Sequence, residues 1–397
     1  MSPTPPGRSR WLEPDKLTES LAALVQINSV NPGFGGPQGG ERQVLERAAG
    51  ILASAGLTPR LVETQPGRPL LRTRLRGRTP GPPLVFETHV DTVAVTGMKI
   101  EPWGGRVDRG RLWGRGSTDA KGQAVAMMHA LAAWAEADAP PPHDVELVLV
   151  HDEEFSFGGA RALLADGLEA VGIVIGEPTS LRIVTAHKGS VRLWLGVAGK
   201  SAHGARPHLG INAISAASAL VRVIDEQYVP ELARRSAPLV GSPTINVGQI
   251  VGGVQPNLVP PSCRMHVDRR TIPGETTDDL RRELEGLFAA AKQLFPQFEG
   301  CIEEVTLDAR AVQAPTDSAL VRAAQAVTGA AGRPTAPIGV DYATDACELG
   351  HAGIPFIILG PGSIDQAHTE DEFIEIAELE AGARVYAGLM GRDLSAP

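Results

Sequence analysis

Through the first half of the chain, short apolar runs bounded by polar turns alternate with longer stretches of helical period. Leu17, Leu21, Leu24 and Val25 fall on one face of a helix that opens near Asp15, a residue type suited to capping an N-terminus. Residues 1–14 before it are polar and Pro-rich and read as a lead-in without regular structure. The stretch SVNPGFGGPQGG (29–40) breaks the pattern with Pro and Gly. A second helix is expected over Glu41–Ala55, with Val44, Leu45, Ala48, Ile51 and Leu52 inward and Gly56 just past its end. Apolar runs at 83–86, 145–150 and 171–175 then alternate with helical segments near 121–137 and 158–167. Runs such as LVLV between polar turns are those of strands buried on both faces. Alternation of strand and helix predicts an α/β fold, a mostly parallel sheet covered by helices.

After Lys188 the pattern changes. SVRLWLGVAG alternates as a strand, INAISAASALVRVIDE is helical, TINVGQIVGG and CRMHVDRR are strand-like, DDLRRELEGLFAAAKQL is amphipathic, and CIEEVTLDA closes the set. That β-α-β-β-α-β order is the split βαβ arrangement of an α+β, ferredoxin-like domain. It is expected over 189–308, inserted between two segments of the larger domain, 1–188 and 309–397; IPFIILG (354–360) returns to buried-strand character. The chain has 397 residues, 43% of them apolar. That exceeds what one compact core holds, so two domains agree with the length.

Composition mainly removes possibilities. The formal charge is −9 and no basic stripe appears, so a nucleic-acid partner is not expected. No run approaches the roughly 18 apolar residues of a membrane span. The N-terminus lacks the apolar core of a signal peptide. Cys263, Cys301 and Cys347 are odd in number and far apart, which excludes a disulfide framework or a CxxC metal site. A cytoplasmic location is the expectation.

Five potential metal ligands end strand-like runs or lie in the turns after them: His89 in FETHVDTV, Asp119 in GRGSTDAKG, Glu154 in VHDEEFSFGGA, Glu177 in VIGEPTS and His368 in GPGSIDQAHTEDE. In an open parallel sheet, ligands bind beyond the carboxyl ends of the strands, so separate runs would deliver these groups to one edge. Two imidazoles and three carboxylates suit a pair of Zn²⁺ ions, with Co²⁺ or Mn²⁺ as substitutes. Asp91, two residues past His89, would accept a hydrogen bond from the non-ligating imidazole nitrogen. Glu153, beside the ligand Glu154, would be free to act as general base and then acid. Singly these signals are weak: an EE pair is usually a solvated face, and an HxD is common. GRGSTDAKG is no phosphate loop, because GxxxxGK[ST] is absent. Their order and strand-end placement carry the reading. His129, His143, His151, His187, His208, His266 and His351 lack a motif and read as surface or core groups.

With these motifs in order, the chain resembles the dinuclear-zinc amidohydrolase and peptidase family of acetylornithine deacetylase, succinyl-diaminopimelate desuccinylase, aminoacylase and glutamate carboxypeptidase, from about residue 17 to 390. THVDTV, GRGSTDAKG, DEE, GEPT and AHTEDE all carry the likeness. The resemblance implies that His89, Asp119 and Glu177 hold one ion, and Asp119, Glu154 and His368 the other, with Asp119 bridging. It implies Asp91 as a supporting residue, Glu153 as the base, and a cis peptide at Asp119–Ala120. GKSAHGARPHLGINAI, PTINVGQIVGGVQPNLVP and VDRRTIPGE resemble the family's lid. By that pattern His203 stabilises the oxyanion, Asn257 and Arg270 hold the substrate carboxylate, and a homodimer forms through the lid. Gly360 and Gly362 would let the backbone approach the ligand, and Asp345 in ATDA would orient its neighbours. Strand alternation sends Arg269 and Arg270 to opposite faces, and for one of the two a surface ion pair is expected. Thr88, Ala120 and Ala343 depart from the family pattern. The implied reaction is metal-assisted hydrolysis of an N-acyl amino acid. Carboxypeptidase-like dipeptidase or broad aminoacylase activity on the same site is the nearest alternative. A non-catalytic metal-binding homologue and a two-metal phosphatase fit less well, because Glu153, His203 and the Asn/Arg pair answer to amide chemistry.

Overall fold

A computed structural model describes residues 9–394, which form two compact units. One holds the chain through Thr185, Ala314–Ile338 and the residues from Thr344 on; the other holds Ala186–Gln313 and Gly339–Ala343.

The first unit is built on four neighbouring strands that run parallel, in the order His143–Val150, Thr79–His89, Gly172–Ile175, Phe356–Ile358. Residues 143–150 and 172–175 are buried throughout, which is why LVLV (147–150) and GIVI (172–175) read as unbroken apolar runs. The helices Pro14–Val25, Gly40–Ser54, Lys121–Ala135, Ala319–Ala330 and Ile376–Met390 share one hydrophobic core with them. Helix Lys121–Ala135 is buried around its whole circumference from Lys121 to Trp134, in keeping with AVAMMHALAAW, which has no polar face. Parallel pairing sends every carboxyl end to the same edge. His89 ends its strand opposite Val150, and Glu87 lies opposite Ile175, two residues before Glu177.

Three features differ from the sequence reading. The lead-in assigned to 1–14 falls outside the described residues for 1–8, but Arg10–Leu12 form a 3-10 turn capped by Ser9, with Trp11 and Leu12 buried. The Trp11 ring meets His129 edge-on at 5.3 Å, and that contact orders the segment. The first helix then starts at Pro14 with Glu13 in the cap position, leaving Asp15 inside its first turn. Finally, the hairpin Arg60–Gln65 and Arg68–Leu75 adds two antiparallel strands outside His143–Val150. Arginines at 60, 68, 72 and 74 interrupt any apolar run there, so the hydrophobic pattern hides it. The Pro66–Gly67 turn, with Gly67 at φ +80°, is the available signal.

The second unit is a four-stranded antiparallel sheet in the order Thr244–Gly252, Ser262–Arg270, Ser190–Ala198, Glu299–Ala309. Alternate residues Val191, Leu193, Leu195 and Val197, with Cys263, Met265 and Val267, face helices Ala213–Val223 and Thr277–Leu294. The second helix opens with a capping box between Thr276 and Asp279. Among the described residues, no helix is long and apolar enough to cross a membrane.

Candidate metal centre

The carboxyl edge of the parallel strands brings the five predicted donors into two clusters. His89 is 1% exposed; its Nε2 lies 3.2 Å from Asp119 Oδ1 and 3.9 Å from Glu177 Oε1. His368 Nε2 lies 3.2 Å from the other oxygen of Asp119, Oδ2, and 3.1 Å from Glu154 Oε2. Within His89/Asp119/Glu177 and within Asp119/Glu154/His368, one ligand atom per residue falls within 4.8 Å of the others. Asp119 belongs to both sets. Each set offers one imidazole, one carboxylate of its own and one shared carboxylate, a mixture suited to a divalent ion of the Zn²⁺ type. Glu153 belongs to neither.

The charge of the pocket asks for cations. Glu87, Asp91, Asp119, Glu153, Glu177 and Asp345 are all buried and all act electrostatically on His89 or are acted on by it. Glu87 and Asp345 face each other, and no other group donates a hydrogen bond to their oxygens among the described residues. Burial, reinforced by neighbouring acids, pushes Glu153 and Glu177 well above the ordinary carboxylate range, and Asp345 up to about 7. Burial opposes protonation of the imidazoles, but Asp119 and Glu154 lift His368 to about 11, and Asp119 and Asp91 hold His89 well above its usual value. Asp119 resists the effect of burial through the two imidazoles and stays below the usual range. Two divalent ions would offset this excess of buried negative charge, so the residues fit a two-metal centre.

Local structure aims the donors. Asp119 lies in a Gly-rich turn just before helix Lys121–Ala135, and its peptide bond to Ala120 is cis. The Nδ1 of His89 faces the backbone carbonyl of Asp91 at 3.1 Å and the Asp91 side chain only at 3.5 Å. The expected carboxylate–imidazole pairing is thus the longer of the two contacts. The Asp91 carboxylate is occupied elsewhere: its oxygens accept the backbone N–H of Glu153 at 3.1 Å and of Glu154 at 3.2 Å. Asp91 therefore supports both the candidate ligand His89 and the turn that carries the two glutamates. Lys121, buried behind the site, donates to the carbonyls of Leu24 at 3.1 Å and Ile27 at 2.8 Å and ties down the end of helix Pro14–Val25.

Some predicted residues have other surroundings than expected. Any Cβ on Gly360 would meet the Glu177 carbonyl oxygen at 2.5 Å and Tyr386 Oη at 2.8 Å, and one on Gly362, at φ +83°, would meet Thr118 Oγ1 at 2.3 Å. Close packing of protein on protein accounts for both glycines. In the second unit, exposed His203 accepts the Ala205 N–H at Nδ1, and its backbone bridges to Leu258, next to exposed Asn257. Arg270 pairs with Asp268 at 2.8 Å. Arg269 is buried, bonded to Glu275 and to Tyr228 Oη, so of the two arginines Arg270 makes the more exposed ion pair. The sequence reading missed Asn31, Asp152, Arg115 and Glu372. Asn31 stands in SVNPG, read only as a helix break. Glu372 closes AHTEDE without an assigned part, yet its Oε1 accepts the N–H of Thr118 and of Asp119, and its Oε2 pairs with buried Arg115 at 2.7 Å.

The model of the peptidase family M20/M25/M40 matches residues 85–392, a span that contains every residue of the two donor clusters. The chain belongs to this family. As an M20 member it is a metal-dependent hydrolase acting on amide bonds. It is 29% identical over 374 residues to an acetylornithine deacetylase of Vibrio campbellii, covering 90% of this chain and 93% of that protein. An acetylornithine deacetylase of Myxococcus xanthus is 32% identical over 273 residues, 68% of this chain and 69% of the relative. Among solved structures, a tripeptidase from Staphylococcus aureus superposes with a TM-score of 0.78 at 21% identity, covering 96% of this chain and 98% of that one. A Bacillus subtilis protein described as a dinuclear metal binding peptidase of the M20 family has a TM-score of 0.70 at 15% identity, covering 97% and 99%. Both superpositions speak to the M20 fold.

Proposed function

We propose that the chain hydrolyses the amide of an N-acyl amino acid, releasing a carboxylate and an amine, with two Zn²⁺ ions as cofactors. The observation that carries this reading is the shared carboxylate: each oxygen of Asp119 faces a different imidazole at 3.2 Å, and a buried acid, Glu153, stands outside both donor sets. His89 and Glu177 would hold one ion, Glu154 and His368 the other, with Asp119 between. Bound there, the ions would supply Lewis acidity to the scissile carbonyl and to the attacking water.

The protein's own groups do the proton work. Glu153, buried and raised in pKa, takes a proton from water and later gives it to the departing nitrogen. Asp91 fixes the turn on which Glu153 sits through the backbone N–H of Glu153. The family resemblance supports His203 as the oxyanion donor and Asn257 and Arg270 as the grip on the substrate carboxylate. Arg270 would have to exchange Asp268 for that carboxylate. A homodimer through the second unit rests on the same resemblance. The curated relatives named acetylornithine deacetylase support an N-acyl amino acid over a phosphate ester.

The test is a screen of the Zn²⁺-loaded protein on N-acetyl and N-succinyl amino acids, dipeptides and a phosphate ester. Hydrolysis of acyl amino acids is expected, with Glu153→Gln losing about 10²–10⁴ in kcat while both metals stay bound. Preference for dipeptides would move the assignment to a peptidase, and turnover of the phosphate ester alone would end it.

A further inference from the structure

We propose that Asn31 is a positioning residue for the hydrolysis proposed above: its side-chain amide ties Asp91 to Asp152 and so sets the turn that carries Glu153 and Glu154. Asn31 is fully buried. Its Nδ2 donates to Asp91 Oδ2 at 2.7 Å and to Asp152 Oδ1 at 2.9 Å, so both hydrogens of the amide are used. Its Oδ1 accepts the Gly33 N–H at 2.8 Å, and its own N–H donates to the Thr92 carbonyl at 2.9 Å. Both donors and the acceptor oxygen of the amide are engaged, which fixes its orientation.

Both carboxylates it joins hold the glutamate turn. Asp91 accepts the N–H of Glu153 and of Glu154. Asp152 immediately precedes them with φ +67°, a left-handed conformation that Asp tolerates better than most residues with a Cβ. Its side chain is held by Arg68 Nη2 at 3.0 Å and by the Ser156 hydroxyl. Arg68 is held in turn by Glu41, Nε to Oε2 at 2.7 Å. Gly158 completes the clamp, since a Cβ there would lie 2.5 Å from Asp152 Oδ2. The turn is therefore gripped on one side by Asp91 and on the other by Asp152, and the amide of Asn31 is the neutral donor that lets two buried carboxylates stand side by side. Replacing that donor with a carboxylate puts a third acid between them, with Arg68 countering Asp152 alone, and loosens the turn. A displacement of about 1 Å at a reacting group can cost about 10²-fold in rate.

Asn31→Asp keeps the shape and removes both donors. Its kcat, measured per zinc-loaded chain, is expected to fall about 10²-fold with KM within about three-fold. Arg68→Gln, which reaches the turn only through Asp152, should lose less and keep the same split between kcat and KM. A purely architectural part for Asn31 would lower the yield of folded protein and leave kcat per loaded chain alone. Cobalt-substituted protein supplies a reading that needs no substrate: movement of Glu154 should change the position or intensity of the visible Co²⁺ bands in Asn31→Asp. Folded, fully loaded Asn31→Asp with wild-type kcat, or with wild-type Co²⁺ bands, overturns the proposal. If wild type cleaves none of the amides, the proposed function falls, and the Co²⁺ comparison still decides this one. Should Asn31→Asp fail to fold, the Arg68→Gln kcat and spectrum decide instead, by the same criteria.

Discussion

Glu372 accepts the backbone N–H of Asp119 at 3.2 Å, so the acid four residues beyond His368 fixes the residue whose carboxylate His368 faces. The same carboxyl takes the Thr118 N–H at 2.9 Å and pairs with Arg115, both partners being almost fully buried. The two loops that complete the site are thus joined through one side chain. Glu372→Gln leaves Arg115 buried without its counter-charge and should destabilise the protein by about 3 kcal/mol. Urea unfolding measures this. A loss below about 1 kcal/mol would mean that the loops hold each other by other contacts.

His129 makes stability depend on acid. Its Nδ1 faces the Trp11 carbonyl at 2.7 Å and its Nε2 the Ser20 hydroxyl at 2.8 Å, an arrangement that suits the neutral ring. Burial lowers its pKa from 6.5 to about 4. The folded value lies below the unfolded one, so the unfolded chain binds the extra proton first. The contribution is complete above pH 6.5 and is lost as pH falls toward 4. Its size is on the order of 3 kcal/mol. The stability advantage of wild type over His129→Gln, followed from pH 7.5 to 4.5 by denaturant unfolding, should shrink accordingly; a flat difference would refute the assignment.

Gly360→Ala tests the packing account of that glycine. The new methyl would fall 2.5 Å from the Glu177 carbonyl oxygen and 2.8 Å from Tyr386 Oη, and neither the backbone nor the fully buried ring can yield cheaply. A loss of about 1–3 kcal/mol is expected, with weakened metal binding because Glu177 is displaced. Thermal unfolding and metal content together read it. Unchanged stability with reduced substrate affinity would restore the view that the glycine serves the ligand.

Stripping the metals should both silence and loosen the protein. The buried acids around His89 then repel one another, and the binding energy of the ions no longer favours the folded state. A chelator should abolish amide hydrolysis and lower the unfolding temperature by several degrees, and added Zn²⁺, Co²⁺ or Mn²⁺ should restore both. An unfolding temperature indifferent to chelation would argue against two ions in this cluster.

The donors were legible in the sequence because parallel strands leave a simple trace. Buried on both faces, they appear as apolar runs, and whatever polar residue follows must lie at one edge. His89, Glu154 and Glu177 can be placed by that argument alone, and the order of the motifs adds Asp119 and His368. The antiparallel hairpin at 60–75 escaped because arginines and other polar residues break up its apolar positions. The order at Trp11 escaped because a single buried ring in a Pro-rich stretch has no period to detect.

The amino-acid sequence by itself determined which chemical groups are present and which strand ends deliver them, since both follow from local pattern. Tertiary structure alone decided how those groups are held. Asn31 reaches Asp91 across 60 positions and Asp152 across 121, and Glu372 reaches Asp119 across 253. Contacts of that range depend on how distant segments pack, and an Asn before Pro or a Glu near a His looks the same in sequence whether it orients a catalytic turn or lies on the surface.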